Sequence, residues 1–214
     1  RTPRLKKLAG LACLLLLAAP LAACGNDDDK AGSAPEPVAE IVALEGRTTA
    51  IKLDQGFVGA LTKLKLTPGV LGGAKLTNGS LVFPITGGNV TVFTPGEVSP
   101  YVIGQIQHEK SGLSLSAGGT TVELRNLNVD PGVSRVYGDV VVNGKPVVAS
   151  AYLFRLNGTT LKPLEVKGAT AVLEGTKVFI SDVAAGLLNS TFKTKAVTDQ
   201  LLVGIAKITV KVPA

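Results

Sequence analysis

Turn-forming dipeptides recur along this chain and constrain its fold more than any other feature of the sequence. Asn-Gly and Gly-Gly adopt positive φ angles at low energetic cost, so between apolar segments they indicate tight hairpins. Asn143-Gly144, for example, lies between two valine-rich segments. The pairs are Asn78-Gly79, Gly87-Gly88, Gly118-Gly119, Asn143-Gly144 and Asn157-Gly158. This pattern predicts a mainly β protein, an antiparallel β-sandwich or open barrel with one short helix near each end.

One strand segment changes the phase of its alternation. The apolar side chains move from even to odd positions between Leu124 and Leu127. A regular strand would turn one of these leucines toward solvent, since successive residues point to opposite faces. We therefore predict a β-bulge or bend near Arg125 and Asn126 that returns both leucines to the core.

Two segments have helical rather than alternating periodicity. Residues 54–64 carry apolar side chains at spacings of three and four, which predicts an amphipathic helix. A second helix is predicted after a capping residue, Ser181 or Asp182. The expected apolar faces are Phe57, Val58, Leu61 and Leu64 on the first helix, and Val183, Leu187, Leu188 and Phe192 on the second.

The N-terminal segment is typical of a bacterial lipoprotein precursor. Residues 1–23 combine a basic start with an apolar run that is too short to span a bilayer of about 30 Å, as in a secretory signal peptide. The run ends in small residues followed by Cys24, which resembles a lipobox. We expect Cys24 to be lipidated and to anchor the exported protein to the outer face of the cell membrane or envelope.

Between the signal and the domain we expect a flexible tether. Residues 24–47 contain an acidic run and a proline-containing spacer, and residues 48–214 form the single β-rich domain. The three aspartates of the run are adjacent, so their side chains point apart and do not form a calcium site. The domain carries 16 basic and 10 acidic side chains, a net charge of +6.

The domain offers little catalytic chemistry, and we expect no enzyme. It has no phosphate-binding glycine loop, no Gly-x-Ser-x-Gly motif and no cysteine, and its one histidine is His108. Its lysines are spread along strands with few aromatic residues among them, so we expect no nucleic-acid partner.

Several segments together resemble the HtaA-type haem-uptake domain of actinobacterial envelope proteins. They are the helix at residues 54–64, residues 81–85, the strand that ends near His108, residues 112–115 and 122–127, the helix near Asp182, and the closing strand with Gly204. The resemblance covers about residues 50–212. It implies a β-rich domain that receives haem near its first helix, where a tyrosine ligates the iron and a strand histidine hydrogen-bonds to that tyrosine.

In this resemblance His108 matches the strand histidine, whereas the helix segment 54–64 contains no tyrosine. A relative that kept the fold and changed or lost the iron ligand is therefore expected, with haem as the candidate cofactor. His108 and Arg125 are the candidate ligand-binding residues; Arg125, like Arg135 and Arg155, has the charge to hold a carboxylate. Tyr101 lies seven residues before His108, so the two face opposite sides of one regular strand.

Three functions remain open at this stage. The first is an anchored module that binds a ligand or partner and is related to haem uptake. The second is a carrier of an apolar lipid, because a leucine- and valine-rich sheet can enclose an apolar cavity. The third is a structural or adhesive surface module without a small-molecule site.

Overall fold

The computed structural model describes residues 34–212, and most of these residues lie in β-strands. In chain order the strands are β1 (Ala39–Ile41), β2 (Thr48–Leu53), β3 (Thr67–Gly72), β4 (Lys75–Thr77), β5 (Ser80–Pro84), β6 (Gly87–Val92), β7 (Val102–Ala117), β8 (Thr120–Asp130), β9 (Arg135–Val142), β10 (Lys145–Asn157), β11 (Glu165–Lys167), β12 (Thr170–Ile180) and β13 (Leu202–Lys211). The helices are α1 (Gln55–Lys63), α2 (Asp182–Phe192) and a short 3₁₀ turn (Gly158–Thr160). The prediction of a mainly β fold with one helix near each end is confirmed.

The strands form one antiparallel sheet that curls on itself. Its order is β1-β6-β7-β8-β9-β10-β12-β13-β2-β5-β4, with β11 paired to β12 and β3 paired to β7. Strands β7 and β13 are five places apart in this order, yet Ile106 of β7 and Ile208 of β13 line the same cavity. The fold is therefore an open barrel made from a single sheet rather than two separate sheets.

Each helix begins after a capping residue, and for α2 this is Ser181, one of the two predicted caps. The Asp54 carboxylate accepts a hydrogen bond from the backbone N–H of Gly56 at 2.8 Å, and the Ser181 hydroxyl accepts one from Ala184 at 2.9 Å. The two helices line a common cavity, which includes Phe57 of α1 and Leu188 of α2.

The apolar face of α2 differs from the predicted one. Ala184, Ala185 and Leu188 are buried, whereas Val183 is exposed. Leu187 and Phe192 also pack against the core, so the predicted face is wrong only at Val183, where the first turn faces the core through Ala184 and Ala185 instead.

Three hairpin turns lie where the sequence predicts them, and one predicted turn is wrong. Asn78-Gly79, Gly118-Gly119 and Asn143-Gly144 each join two paired strands. Gly87-Gly88 instead lies inside β6, where it pairs with β7. A Cβ atom on Gly88 would lie 1.9 Å from the Gln105 carbonyl oxygen, so glycine serves close strand approach there.

The folded part begins earlier than residue 48. Strand β1 pairs with β6, and Ile41 and Leu44 are buried, so residues 39–47 belong to the fold and not to the predicted tether. From residue 35 onward the described chain forms one compact unit, and all the buried core residues of the described chain lie in it. We therefore expect this unit to fold by itself. The predicted signal peptide and Cys24 lie outside the described residues.

Candidate ligand-binding site

His108 lies inside the curled sheet, on a long strand that continues past it. The sequence places it at the end of a strand, but β7 runs on to Ala117 because a bulge follows the histidine instead of a turn. The side chain is only 2% exposed. Phe83 of β5 packs edge-on against the imidazole, with ring centroids 6.1 Å apart.

Both ring nitrogens of His108 have hydrogen-bond partners. Nδ1 lies 3.2 Å from the Leu127 carbonyl oxygen, and Nε2 lies 2.8 Å from the Thr49 hydroxyl. A carbonyl oxygen can only accept, so Nδ1 carries the proton and donates, and Nε2 accepts from the Thr49 hydroxyl. The neutral imidazole is thus fully satisfied in an apolar environment.

Burial also sets the charge state of His108. Desolvation lowers the pKa of its imidazole to about 4, although backbone hydrogen bonds oppose this shift. Burial disfavours a charged ring whenever no carboxylate is close enough to compensate. His108 is therefore neutral at pH 7.

A bulge after His108 shapes this part of the wall. His108 pairs with Leu127 and Gly112 pairs with Arg125, so three residues of β7 oppose the single residue Asn126 of β8. Lys110 and Asn126 both have positive φ, and the Asn126 side chain accepts from the Lys110 backbone N–H at 3.0 Å. The predicted bulge at Asn126 is confirmed, and Leu127 reaches the core beside the histidine.

Three apolar cavities adjoin one another inside the curl. The His108 cavity has a volume of about 100 Å³, and it includes Thr49, Phe83 and His108 in its wall. The helix-end cavity, lined by both helices, is about 40 Å³, and the β1 cavity, beside β1 and β11, is about 190 Å³. Neighbouring cavities share wall residues: Leu81, Leu113, Phe154 and Val203 for the first pair, and Ile106, Leu173 and Ile208 for the second.

Each cavity therefore shares part of its wall with the next. The walls are almost entirely aliphatic and aromatic, and His108 is the one titratable side chain among the described residues of the His108 cavity. Such a surface can hold an apolar molecule, with the imidazole and Thr49 as its polar point.

Arg125 does not share this site. It lies on β8 opposite Gly112, and its side chain is 49% exposed and forms an ion pair with Glu123 at 2.6 Å. The structure thus separates the two candidate residues, one inside the curl and one on its outside.

Neither ring nitrogen of His108 is hydrogen-bonded to a tyrosine. Tyr101 precedes β7, and burial raises the pKa of its phenol. Tyr137 and Tyr152 are cross-strand partners, with ring centroids 6.1 Å apart.

Iron ligation of the kind the resemblance implies does not fit these residues. The sequence of α1 contains no tyrosine, and Nε2 of His108 accepts its hydrogen bond from Thr49, which takes the place expected for a tyrosine hydroxyl. Sequence reasoning missed Thr49 because it lies 59 residues before His108 and no local pattern connects the two. Among the described residues, no cluster of three or more His, Cys, Asp or Glu side chains is arranged to hold a metal ion.

None of the helices within residues 34–212 is long and apolar enough to cross a membrane. No family model and no curated protein matches the chain.

Comparison of the fold with solved structures does find similar proteins. The crystal structure of the C-terminal domain of HtaA from Corynebacterium glutamicum matches with a TM-score of 0.56 at 13% identity, covering 80% of this chain and 99% of that one. A domain-swapped dimer of a histidine-to-alanine variant of the same domain gives a TM-score of 0.47 at 13% identity, covering 74% and 91%. This chain therefore has the fold of the HtaA C-terminal domain, as the resemblance in its sequence predicts.

Proposed function

We propose that this chain is an extracytoplasmic binding module that holds an apolar ligand inside its curled sheet. The observation that carries this proposal is the run of three adjoining apolar cavities, of which the central one contains His108 and Thr49. Binding there needs no catalytic group, in agreement with the expectation that the protein is not an enzyme.

The sizes of the cavities favour an elongated ligand. A dry apolar cavity of about 150 Å³ binds molecules as small as benzene, whereas sites for larger ligands measure about 300–1,000 Å³. Each of the three cavities is smaller than that second range, so a wide, rigid ligand would require extensive repacking. A narrow chain that displaces the shared side chains would occupy several cavities in succession. An acyl chain has this shape and chemistry.

The polar contact would come from the wall around His108. An uncharged imidazole with a hydroxyl beside it suits a neutral polar group, such as an ester or a protonated acid, better than an ionised one. A ligand oxygen could compete for the Thr49 hydroxyl, which now donates to Nε2 at 2.8 Å.

Anchoring at Cys24 completes the proposal. The basic start, apolar run and lipobox-like segment support export and lipidation, which would hold the module at the outer face of the membrane. Membrane fractionation tests this step: the wild-type chain should sediment with membranes, and the Cys24→Ser chain should not carry the lipid. Equal lipid content of the N-terminal peptides of both chains would contradict lipidation at Cys24.

Haem is the second candidate ligand, and the fold shared with the HtaA domain favours it. The residues around His108 do not support iron ligation in the present arrangement, so the haem hypothesis predicts that His108 changes partners when hemin binds. That difference separates the two candidates experimentally.

The decisive experiment uses residues 35–214, the compact unit, with one blocking variant and one matched control. Leu173 lies in the wall between two of the cavities, and Leu173→Trp fills that space. Val172 is its neighbour on β12 and faces the opposite side of the sheet, so Val172→Trp adds the same bulk outside. Each protein is analysed by mass spectrometry of an organic extract and titrated with cis-parinaric acid and with hemin.

The proposal predicts a bound lipid or saturable parinaric acid fluorescence in wild type and Val172→Trp, and its loss in Leu173→Trp. Circular dichroism checks that all three proteins are folded. Binding that both tryptophan variants retain would overturn the interior site. A saturable Soret shift that His108→Ala abolishes, without lipid binding, would assign the module to haem instead. Absence of both signals would leave a surface module without a small-molecule site.

A further inference from the structure

Two arginines lie side by side on the outer face of the sheet. Arg135 of β9 and Arg155 of β10 are direct cross-strand partners, and Arg155 is also paired with Phe179 of β12. Like charges directly opposite each other on neighbouring strands are destabilising. This pairing therefore calls for a compensating interaction.

Aromatic rings hold both guanidinium groups in place. The Arg135 guanidinium lies 4.5 Å from the centroid of the Tyr152 ring, and that of Arg155 lies 4.5 Å from the Phe179 ring. Stacking of this kind fixes the guanidinium plane but leaves the N–H groups at its edge able to donate. One edge of Arg135 approaches the Tyr137 hydroxyl at 3.5 Å, and Arg155 donates to the Asp199 carbonyl oxygen at 3.3 Å.

The neighbouring carboxylates do not neutralise this pair. Among the described residues, no carboxylate oxygen lies within 4.0 Å of either guanidinium group. Asp130 is the cross-strand partner of Arg135 on β8, but its carboxylate accepts from Gln105 and from the backbone N–H of Val133. The pKa of Arg135 is raised, chiefly by its contact with the Tyr137 hydroxyl and least by the charge of Asp182.

We propose that Arg135 and Arg155 form a binding site for a phosphate group on the outer face of the sheet. Two guanidinium forks match the charge of a phosphate, which carries about −1.5 to −2 at pH 7 as a monoester, whereas one carboxylate would leave a cation unpaired. The planar fork also matches phosphate oxygens in geometry. The Tyr137 hydroxyl lies beside Arg135 as a further donor.

The phosphate can belong to a soluble molecule or to the headgroup of an anionic lipid, and the chemistry of recognition is the same. This site is on the face opposite His108 and does not depend on the interior cavities. Its test therefore stands apart from that of the proposed function.

The experiment titrates residues 35–214 with inorganic phosphate and pyrophosphate at fixed ionic strength, using calorimetry and the arginine Nε–Hε signals in NMR spectra. We expect saturable binding with shifts at Arg135 and Arg155, and at least tenfold weaker binding in the double variant R135Q/R155Q. The variant R135K/R155K keeps both charges but loses the forks, and we expect at least fivefold weaker binding. The matched control K162Q/K167Q removes two exposed charges elsewhere and should bind as wild type does.

A second arm identifies the source of the phosphate. Sedimentation with phosphatidylglycerol vesicles, but not with phosphatidylcholine vesicles, that requires both arginines and is competed by pyrophosphate assigns the site to a lipid headgroup. Pyrophosphate binding without vesicle binding assigns it to a soluble phosphate. Equal weakening in K162Q/K167Q, or equal affinity for succinate, would overturn the proposal, because general charge attraction or carboxylate binding would then explain the data.

Discussion

The curled sheet presents two very different faces, seen at His108 of β7 and at Arg135 of β9 and Arg155 of β10. On the inner face the polar side chain of His108 is buried, neutral and hydrogen-bonded at both ring nitrogens. On the outer face Arg135 and Arg155 lie directly opposite each other and are stacked on aromatic rings, and no carboxylate within residues 34–212 forms an ion pair with them. Burial demands that every polar group be satisfied within the protein, whereas a surface tolerates charges whose partners come from outside. The inner histidine therefore needs no further partner, whereas the two outer arginines can take one from outside the protein.

The largest expected effect comes from truncating a core side chain on the inner face. Leu153 of β10 is 0% exposed and lines the helix-end cavity, so Leu153→Ala should lower the free energy of unfolding by about 2–5 kcal/mol. Val147 on the same strand is exposed, and Val147→Ala should change it by no more than about 0.5 kcal/mol. Urea denaturation measures both, and equal losses would mean that the two faces do not differ in packing.

The charge state of His108 gives the next largest effect. Its pKa is about 4 in the folded protein and near 6.5 when unfolded, so the unfolded state binds the extra proton first as the pH falls. The contribution of the neutral His108 to the free energy of unfolding is complete above pH 6.5. It decreases as the pH falls to 4, by about 3 kcal/mol in all. Urea denaturation of wild type between pH 7 and pH 4 should show this loss. The free energy of unfolding of the His108→Gln variant should depend less on pH over the same range. An identical slope in the variant would assign the pH dependence to other groups.

The bulge after His108 predicts a smaller effect. Here the test is which of two variants, alanine or glycine, is more stable. Asn126 has φ +51°, so Asn126→Ala should be less stable than Asn126→Gly by about 1 kcal/mol, although both lose the bond to Lys110. At Asn128, where φ is not positive, the alanine variant should be at least as stable as the glycine variant. Thermal unfolding of the four variants measures the order. The same order at both positions would contradict a left-handed residue at the bulge.

Arg125 provides the smallest expected effect. Because its side chain is half exposed and bonded only to Glu123, Arg125→Gln should cost less than about 1 kcal/mol and leave parinaric acid binding unchanged. Fluorescence titration and urea denaturation check both statements. A clear loss of ligand affinity would bring Arg125 back as a ligand-binding residue.

Local patterns were enough to predict some elements and not others. The phase change between Leu124 and Leu127 located the bulge because alternation is a property of neighbouring residues. The contact between His108 and Thr49 had no such signal, since it depends on how the sheet closes. Strand β1 was missed because three residues are too few to show alternation beside a polar, proline-containing segment. Gly88 was read as a turn because glycine serves both turns and close strand contacts.

Strand β1 has a mechanical consequence. It is the first strand of the described residues, it lies at an edge of the sheet, and three of its residues pair with β6. A pull on the N-terminal segment loads these few hydrogen bonds before any others, so β1 should detach at low force while the rest of the sheet holds. Ala39 and Ile41 would then leave the wall of the β1 cavity, and tension on the chain would uncover the interior from that side.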